Sequence, residues 1–142
     1  MKVTKTASAQ WKGGLKDGKG TITTESGALS AQPYGFNTRF EGVRGTNPEE
    51  LLGAAHAGCF TMALSLMLGE AGFKAEQLDT TARVTLEQVG AGFEITAVHL
   101  TLKGKVPGME ASAFQAAADK AKAGCPLSKV IRAPITMEAT FG

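Results

Sequence analysis

Residues 47–69 read NPEELLGAAHAGCFTMALSLMLG, and this stretch decides the fold. Asn47 can cap free backbone N–H groups, Pro48 suits the first helical position, and Glu49 and Glu50 favour the positive end of the helix dipole. The pattern closes at Gly69, before Glu70 and a second glycine, Gly72. Between these signals no side chain is charged at pH 7. A helix that is apolar nearly all round belongs in a core. Its length, roughly 33 Å, approaches that of a bilayer, but Gly, Ala and Ser dilute it and the flanking sequence reads as a soluble domain. No membrane association is expected. Cys59 stands mid-helix among Ala54, Ala55, Ala57 and Gly58, small residues that let another backbone approach closely. An intracellular cysteine in such a place is more often a small buried hydrophobe than a reactive group, so the rest of the chain must decide between them.

The 142 residues suit one domain or two small lobes, enough to bury a core. A net charge of +2 is too small to point to nucleic acid or an anionic membrane. The N-terminal MKVTKT lacks the apolar run of a signal peptide, so a cytoplasmic location is expected. Structural disulfides are scarce there. The two cysteines then read as spare thiols, metal ligands or a redox pair.

Around the central helix the chain alternates in short strand patterns. Residues 3–11 and 20–25, joined by a glycine-rich turn, read as a hairpin. Residues 26–37 read as loop, and 38–41 as a short strand or extended piece carrying Arg39. Gly42-Val43-Arg44-Gly45 matches the Gly-x-x-Gly loop of single-stranded RNA-binding modules only weakly, because it follows an extended piece rather than a helix. Residues 80–88 and 93–106 form a second hairpin about Gly90-Ala91-Gly92. Residues 111–123 form a second helix, and 135–141 a last strand. Cys125 falls before Pro126, at the N-cap of a short helix reaching about Arg132, where free N–H groups favour a thiolate. The expected fold is α+β: segregated antiparallel sheets around a long buried central helix.

Four residues form a possible site: Cys59, Cys125, Arg39 and Glu49. Peroxide reduction needs a thiolate, a cation beside it and a thiol to resolve the sulfenic acid. Arg39 can supply the cation, Glu49 can hold its guanidinium in a two-pronged pair, and Cys125 can close a disulfide onto oxidised Cys59. In an unbroken helix Glu49 and Cys59 lie ten residues, roughly 15 Å, apart along the axis. One arginine cannot easily serve both, so if they share one site either the helix is kinked or Glu49 comes from a partner chain; the second is expected, across a two-fold interface. A Cys₂His₂ zinc site from His56, Cys59, His99 and Cys125 is the metal alternative. It lacks the paired short spacings of structural zinc, and no metal or other cofactor is expected. Phosphate-loop, Gly-x-Ser-x-Gly and Cys-x-x-Cys motifs do not occur.

The segments NPEEL (47–51) with AAHAGCF (54–60) resemble the first cysteine motif of the OsmC/Ohr family of thiol-dependent peroxidases. AGCPLS (123–128) resembles its second. QPYGFNTRFEG (32–42) is similar to the OsmC (osmotically inducible protein C) branch in particular. The likeness runs from Trp11 to the last strand. It implies one peroxidase domain over 1–142, with a hairpin region at 1–45, the helix at 47–69 and a ββαβ region at 79–142. It implies an intertwined homodimer with active sites at the interface. By match Cys59 attacks an organic hydroperoxide, Cys125 resolves the sulfenic acid, Arg39 activates, Glu49 partners Arg39, and an external dithiol reduces the disulfide. Phe36, Phe60, Met62 and Met109 are expected to line the substrate entry and favour bulky peroxides over hydrogen peroxide. The competing reading is a non-enzymatic dimeric redox sensor or ligand-binding protein, which would consume about one equivalent of peroxide per chain rather than many. An RNA-binding role is disfavoured by low aromatic content and small charge.

Overall fold

The computed structural model describes residues 1–142. The chain divides into two compact units, residues 1–51 and 52–142.

In the first unit β1 (Ala7–Lys12), β2 (Lys19–Thr24) and β3 (Gln32–Tyr34) form an antiparallel sheet in that order. Gly20 pairs with both Trp11 and Tyr34 across the central strand. Its missing side chain leaves room for the two rings, whose centroids are 5.4 Å apart. A Cβ at Gly20 would run into both.

The segment read as extended, residues 38–41, is instead the end of a short helix, α1 (Phe36–Phe40). The Thr38 hydroxyl accepts from the Gly35 N–H at 2.9 Å, tying down the first turn. Gly42, at φ +71°, turns the chain out of it. Gly42-Val43-Arg44-Gly45 therefore follows a helical turn, not an extended piece. A five-residue helix is too short to show a period, so a tertiary setting rather than a pattern selects it. Within 26–37, read as loop, residues 32–34 are also recruited as strand β3.

Helix α2 (Pro48–Glu70) is continuous over 23 residues. Asn47 caps it as expected: its Oδ1 accepts from the Glu50 N–H at 2.8 Å. At the other end Gly72 adopts φ +87°, and the Phe73 N–H returns to Leu68 O at 2.9 Å, a left-handed C-terminal closure. The burial of α2 is narrower than its composition suggests. Gly53, His56, Phe60, Leu64 and Leu68 form one buried stripe at spacings of three and four. Met62 and Leu66 on other faces are 78% and 64% exposed in the single chain.

In the second unit β4 (Gln77–Val89), β5 (Gly92–Lys105) and β6 (Ile135–Phe141) make a sheet in that order, and α3 (Ala111–Gly124) and α4 (Pro126–Val130) lie between β5 and β6 in sequence. The β4–β5 hairpin is antiparallel, but β6 runs parallel to β5, from Val98↔Ile135 to Gly104↔Phe141. The expectation of purely antiparallel sheets is corrected here. A parallel neighbour needs a long crossover, and α3 with α4 supplies it. The core joins Phe60, Leu64 and Leu68 of α2, Val98, Leu100 and Leu102 of β5, and Phe114, Ala118 and Ala121 of α3. Cys125 completes it, with no solvent exposure.

Candidate active site

Two constellations hold the residues singled out from the sequence. The first lies in residues 1–51. The Thr46 N–H donates to Pro33 O at 2.9 Å, and Asn47 Nδ2 donates to Thr38 O at 3.3 Å. These bonds tie the start of α2 to β3 and α1. Arg39, on α1, and Glu49, in the first turn of α2, then meet as an ion pair. Arg39 Nε reaches both carboxylate oxygens at 3.1 Å, and Nη2 reaches Oε1 at 2.6 Å. The Glu49 side chain is 13% exposed and the Arg39 side chain 37%. Arg39 also sits over the Phe40 ring, 5.5 Å from its centroid. Beside it is an apolar cleft of about 210 Å³ lined by Trp11, Leu15, Tyr34, Phe36, Phe40 and Pro48. A fixed cation at an apolar cleft suits a ligand with a polar end and a greasy body.

The second constellation lies in residues 52–142. Cys59, on α2, is half-buried, and Cys125 is wholly buried; both are free thiols. Cys59 packs against the buried cluster that includes Cys125, which lies near enough to act on the Cys59 thiol. Burial pushes the Cys59 thiol above its ordinary value, and the neighbouring Cys125 pushes the same way; a hydrogen bond with the Leu127 backbone opposes them. Cys125 is the N-cap of α4, and its Sγ accepts from the Ser128 N–H at 3.3 Å. The Ser128 hydroxyl is 3.1 Å from the same sulfur and 2.8 Å from His56 Nε2. Hydrogen bonds therefore connect Cys125, Ser128 and His56, with Cys59 packed against the same buried cluster.

The structure thus brings Arg39 to Glu49 and Cys59 to Cys125. The four residues expected to line an entry scatter. Phe36 lines the cleft beside Arg39. Phe60 is fully buried because it falls on the inward stripe of α2, and Met62, two residues on, points the other way and is exposed. Met109 is 9% exposed and packs in the core. Phe60 and Met109 are therefore core residues, not an entry. His99, offered to the zinc alternative, bonds Thr136 Oγ1 at 2.6 Å across β5 and β6. Sequence reasoning missed Ser128 and the Trp11, Leu15, Tyr34 and Phe40 walls. Ser128 did leave a signal: a serine three residues after an N-cap cysteine is placed to return to it.

Residues 40–140 match the family model described as OsmC-like protein. The chain is 60% identical over 138 residues to the Peroxiredoxin OsmC of Escherichia coli strain K12, covering 97% of this chain and 96% of that protein. It is 33% identical over 101 residues to the Organic hydroperoxide resistance protein of Xanthomonas axonopodis pv. citri strain 306, covering 70% and 69%. Among solved structures, the Organic Hydroperoxide Resistance Protein OhrB of Bacillus subtilis superposes with a TM-score of 0.68 at 26% identity, covering 96% of this chain and 98% of that one. With two cysteine motifs, an α+β fold of this topology and these matches, the chain belongs to the OsmC-like protein family.

Proposed function

We propose that this chain is a thiol-dependent peroxidase that reduces organic hydroperoxides, and hydrogen peroxide less well, with Cys59 as the attacking thiol and Cys125 as the resolving one. The observation that carries this reading is the nearness of two free thiols, one half-buried and packed against the core cluster that holds the other. The relatives named above, a peroxiredoxin and two hydroperoxide resistance proteins, support the same chemistry.

In this reading the Cys59 thiolate attacks one peroxide oxygen, the O–O bond breaks, and the departing alkoxide takes a proton to become the alcohol. Cys59 is left as a sulfenic acid. The Cys125 sulfur displaces its oxygen as water and closes a disulfide, and an external dithiol returns both cysteines to thiols. Burial works against the Cys59 thiolate, so the chemistry calls for a cation. Arg39, held by Glu49, is the proposed one, and its charge would also stabilise the leaving oxygen. The ten helical residues between Glu49 and Cys59 favour delivery of that pair by the partner in a homodimer. Exposed Met62 and Leu66 offer apolar surface for a second copy. The apolar cleft beside Arg39 suits the organic part of the substrate.

The test is peroxide consumption with cumene hydroperoxide and hydrogen peroxide, dihydrolipoate as reductant, on wild type, Cys59→Ser and Cys125→Ser. Many turnovers by wild type, none by Cys59→Ser and no cycling on dithiol by Cys125→Ser would establish the roles. Undiminished activity in Cys59→Ser would overturn them. Consumption of one equivalent per wild-type chain would point to a sensor.

A further inference from the structure

His56 has no solvent exposure and sits one helical turn before Cys59. Its Nε2 bonds Ser128 Oγ, while its Nδ1 is buried without any partner. That orphan fixes the direction of the whole chain of bonds. An unpaired N–H donor in a dry interior is rarer and costlier than an unpaired acceptor. The favoured tautomer leaves Nδ1 bare and carries the proton on Nε2, which donates to Ser128 Oγ. With its oxygen engaged as acceptor, the Ser128 hydroxyl turns its own hydrogen to Cys125 Sγ, 3.1 Å away. The Ser128 N–H already donates to that sulfur. One residue therefore sets two donors on Cys125, and a ring from another helix sets the orientation of one of them. Burial holds His56 below its ordinary value, so the ring is neutral at pH 7 and keeps this arrangement.

We propose that His56 is a positioning residue for the second cysteine: through Ser128 it fixes a hydroxyl donor on the Cys125 sulfur as that sulfur gains negative charge. This deepens the two-cysteine reading and rests on it. The charge arises twice per cycle. When the disulfide closes, the Cys125 electron pair forms the S–S bond, the S–O bond of the Cys59 sulfenic acid breaks, and the departing hydroxide leaves as water with the thiol proton. When it reopens, a reductant thiolate bonds to the Cys59 sulfur, the more exposed of the two. The S–S bond breaks and its pair departs on Cys125, which takes a proton from solvent. The second reductant thiol then displaces Cys59, leaving the reductant as a disulfide and both cysteines reduced. A donor aimed at Cys125 steadies the thiolate in both steps and speeds its departure when the disulfide reopens.

The experiment avoids peroxide. Wild type, Ser128→Ala, His56→Leu and His56→Gln are oxidised with diamide to the Cys59–Cys125 disulfide, and its reopening by excess dithiothreitol is followed by quenching with an alkylating agent. The melting temperature of each reduced variant is recorded alongside. Ser128→Ala and His56→Leu are expected to reopen roughly tenfold more slowly, the loss of one donor to a charged sulfur. His56→Gln, whose amide N–H can replace Nε2, is expected to restore most of the rate, which a merely packing role would not allow. Wild-type rates in Ser128→Ala or His56→Leu would overturn the proposal. So would a His56→Gln variant as slow as His56→Leu, since the ring would then act as acceptor. Should His56→Leu fail to fold, Ser128→Ala against His56→Gln decides the matter. Failure of diamide to join the cysteines in wild type would instead sink the two-cysteine reading, and this inference with it.

Discussion

Arg39 grips Glu49 through two of its nitrogens, Nε to both carboxylate oxygens at 3.1 Å and Nη2 to one of them at 2.6 Å. In the proposed mechanism the pair aims a guanidinium rather than holding the fold. Arg39 is more than a third exposed, and an ion pair so placed contributes well under about 1 kcal/mol to stability. Arg39→Lys and Glu49→Gln should therefore melt within a few degrees of wild type. Both should lower kcat/KM for cumene hydroperoxide by roughly 10- to 100-fold, because lysine cannot reproduce the fork and a neutral amide in place of the carboxylate cannot anchor it. Steady-state kinetics beside thermal melts check this. A large drop in Tm would show the pair to be structural.

The pH–rate profile tests the proposed action of the partner's Arg39 on Cys59. Burial raises the Cys59 thiol within residues 52–142, and only the thiolate attacks peroxide. The rate should climb with pH, and in Arg39→Gln its midpoint should lie above the ordinary thiol value. Wild type should climb at lower pH. Coincident midpoints would remove Arg39 from thiol activation.

His56 should make the fold acid-sensitive. Its folded value lies below 6.5 because of burial, so the unfolded chain takes up a proton first as pH falls. The stability this histidine contributes is complete above about pH 6.5. It is lost below that at no more than about 1.4 kcal/mol per pH unit until the folded value is reached. Urea midpoints followed from about pH 7.5 down to about pH 5 should fall in wild type and fall less in His56→Gln. Parallel curves would count against this assignment.

Gly104, on β5, lies under Phe114 of α3, and a Cβ there would run into the Phe114 ring. Gly104→Ala should destabilise the chain by about 1–3 kcal/mol through overpacking, read from chemical denaturation. A neutral effect would mean the ring has room to move.

The cleft beside Arg39 should set peroxide preference. Phe36→Ala is expected to lower kcat/KM for cumene hydroperoxide about tenfold while changing hydrogen peroxide little, since an apolar wall discriminates by roughly 1–3 kcal/mol. Equal losses for both peroxides would place the organic group elsewhere.

Much of this was legible in sequence because it is written in local chemistry. Asn47-Pro48-Glu49-Glu50 caps α2 as its residue types require, and Cys125-Pro126 starts α4. The hairpin of β4 and β5 follows its alternation. Three features were not legible, each for a distance reason. Residues 36–40 are helical in a setting that includes Asn47 Nδ2 donating to Thr38 O from the start of α2, a choice that five residues of pattern cannot announce. β6 runs parallel to β5 because the α3–α4 crossover returns it to the same end of the sheet, and strand periodicity is the same in either direction. Phe60 and Met62 differ in burial only through the orientation of α2, which a helix apolar on all sides leaves open.

The sequence by itself determined the α+β class, the long helix, its caps, and the residues worth watching, because helix starts, strand alternation and a cysteine at an N-cap act over a few residues. Only the tertiary structure decided which of them meet. Cys59 and Cys125 are separated by two strands and a helix, and His56 and Ser128 by 72 positions. Contacts at such separations are set by how α2 and the α3–α4 crossover pack on the β4–β5–β6 sheet, which is a property of the folded core and of no single stretch of chain.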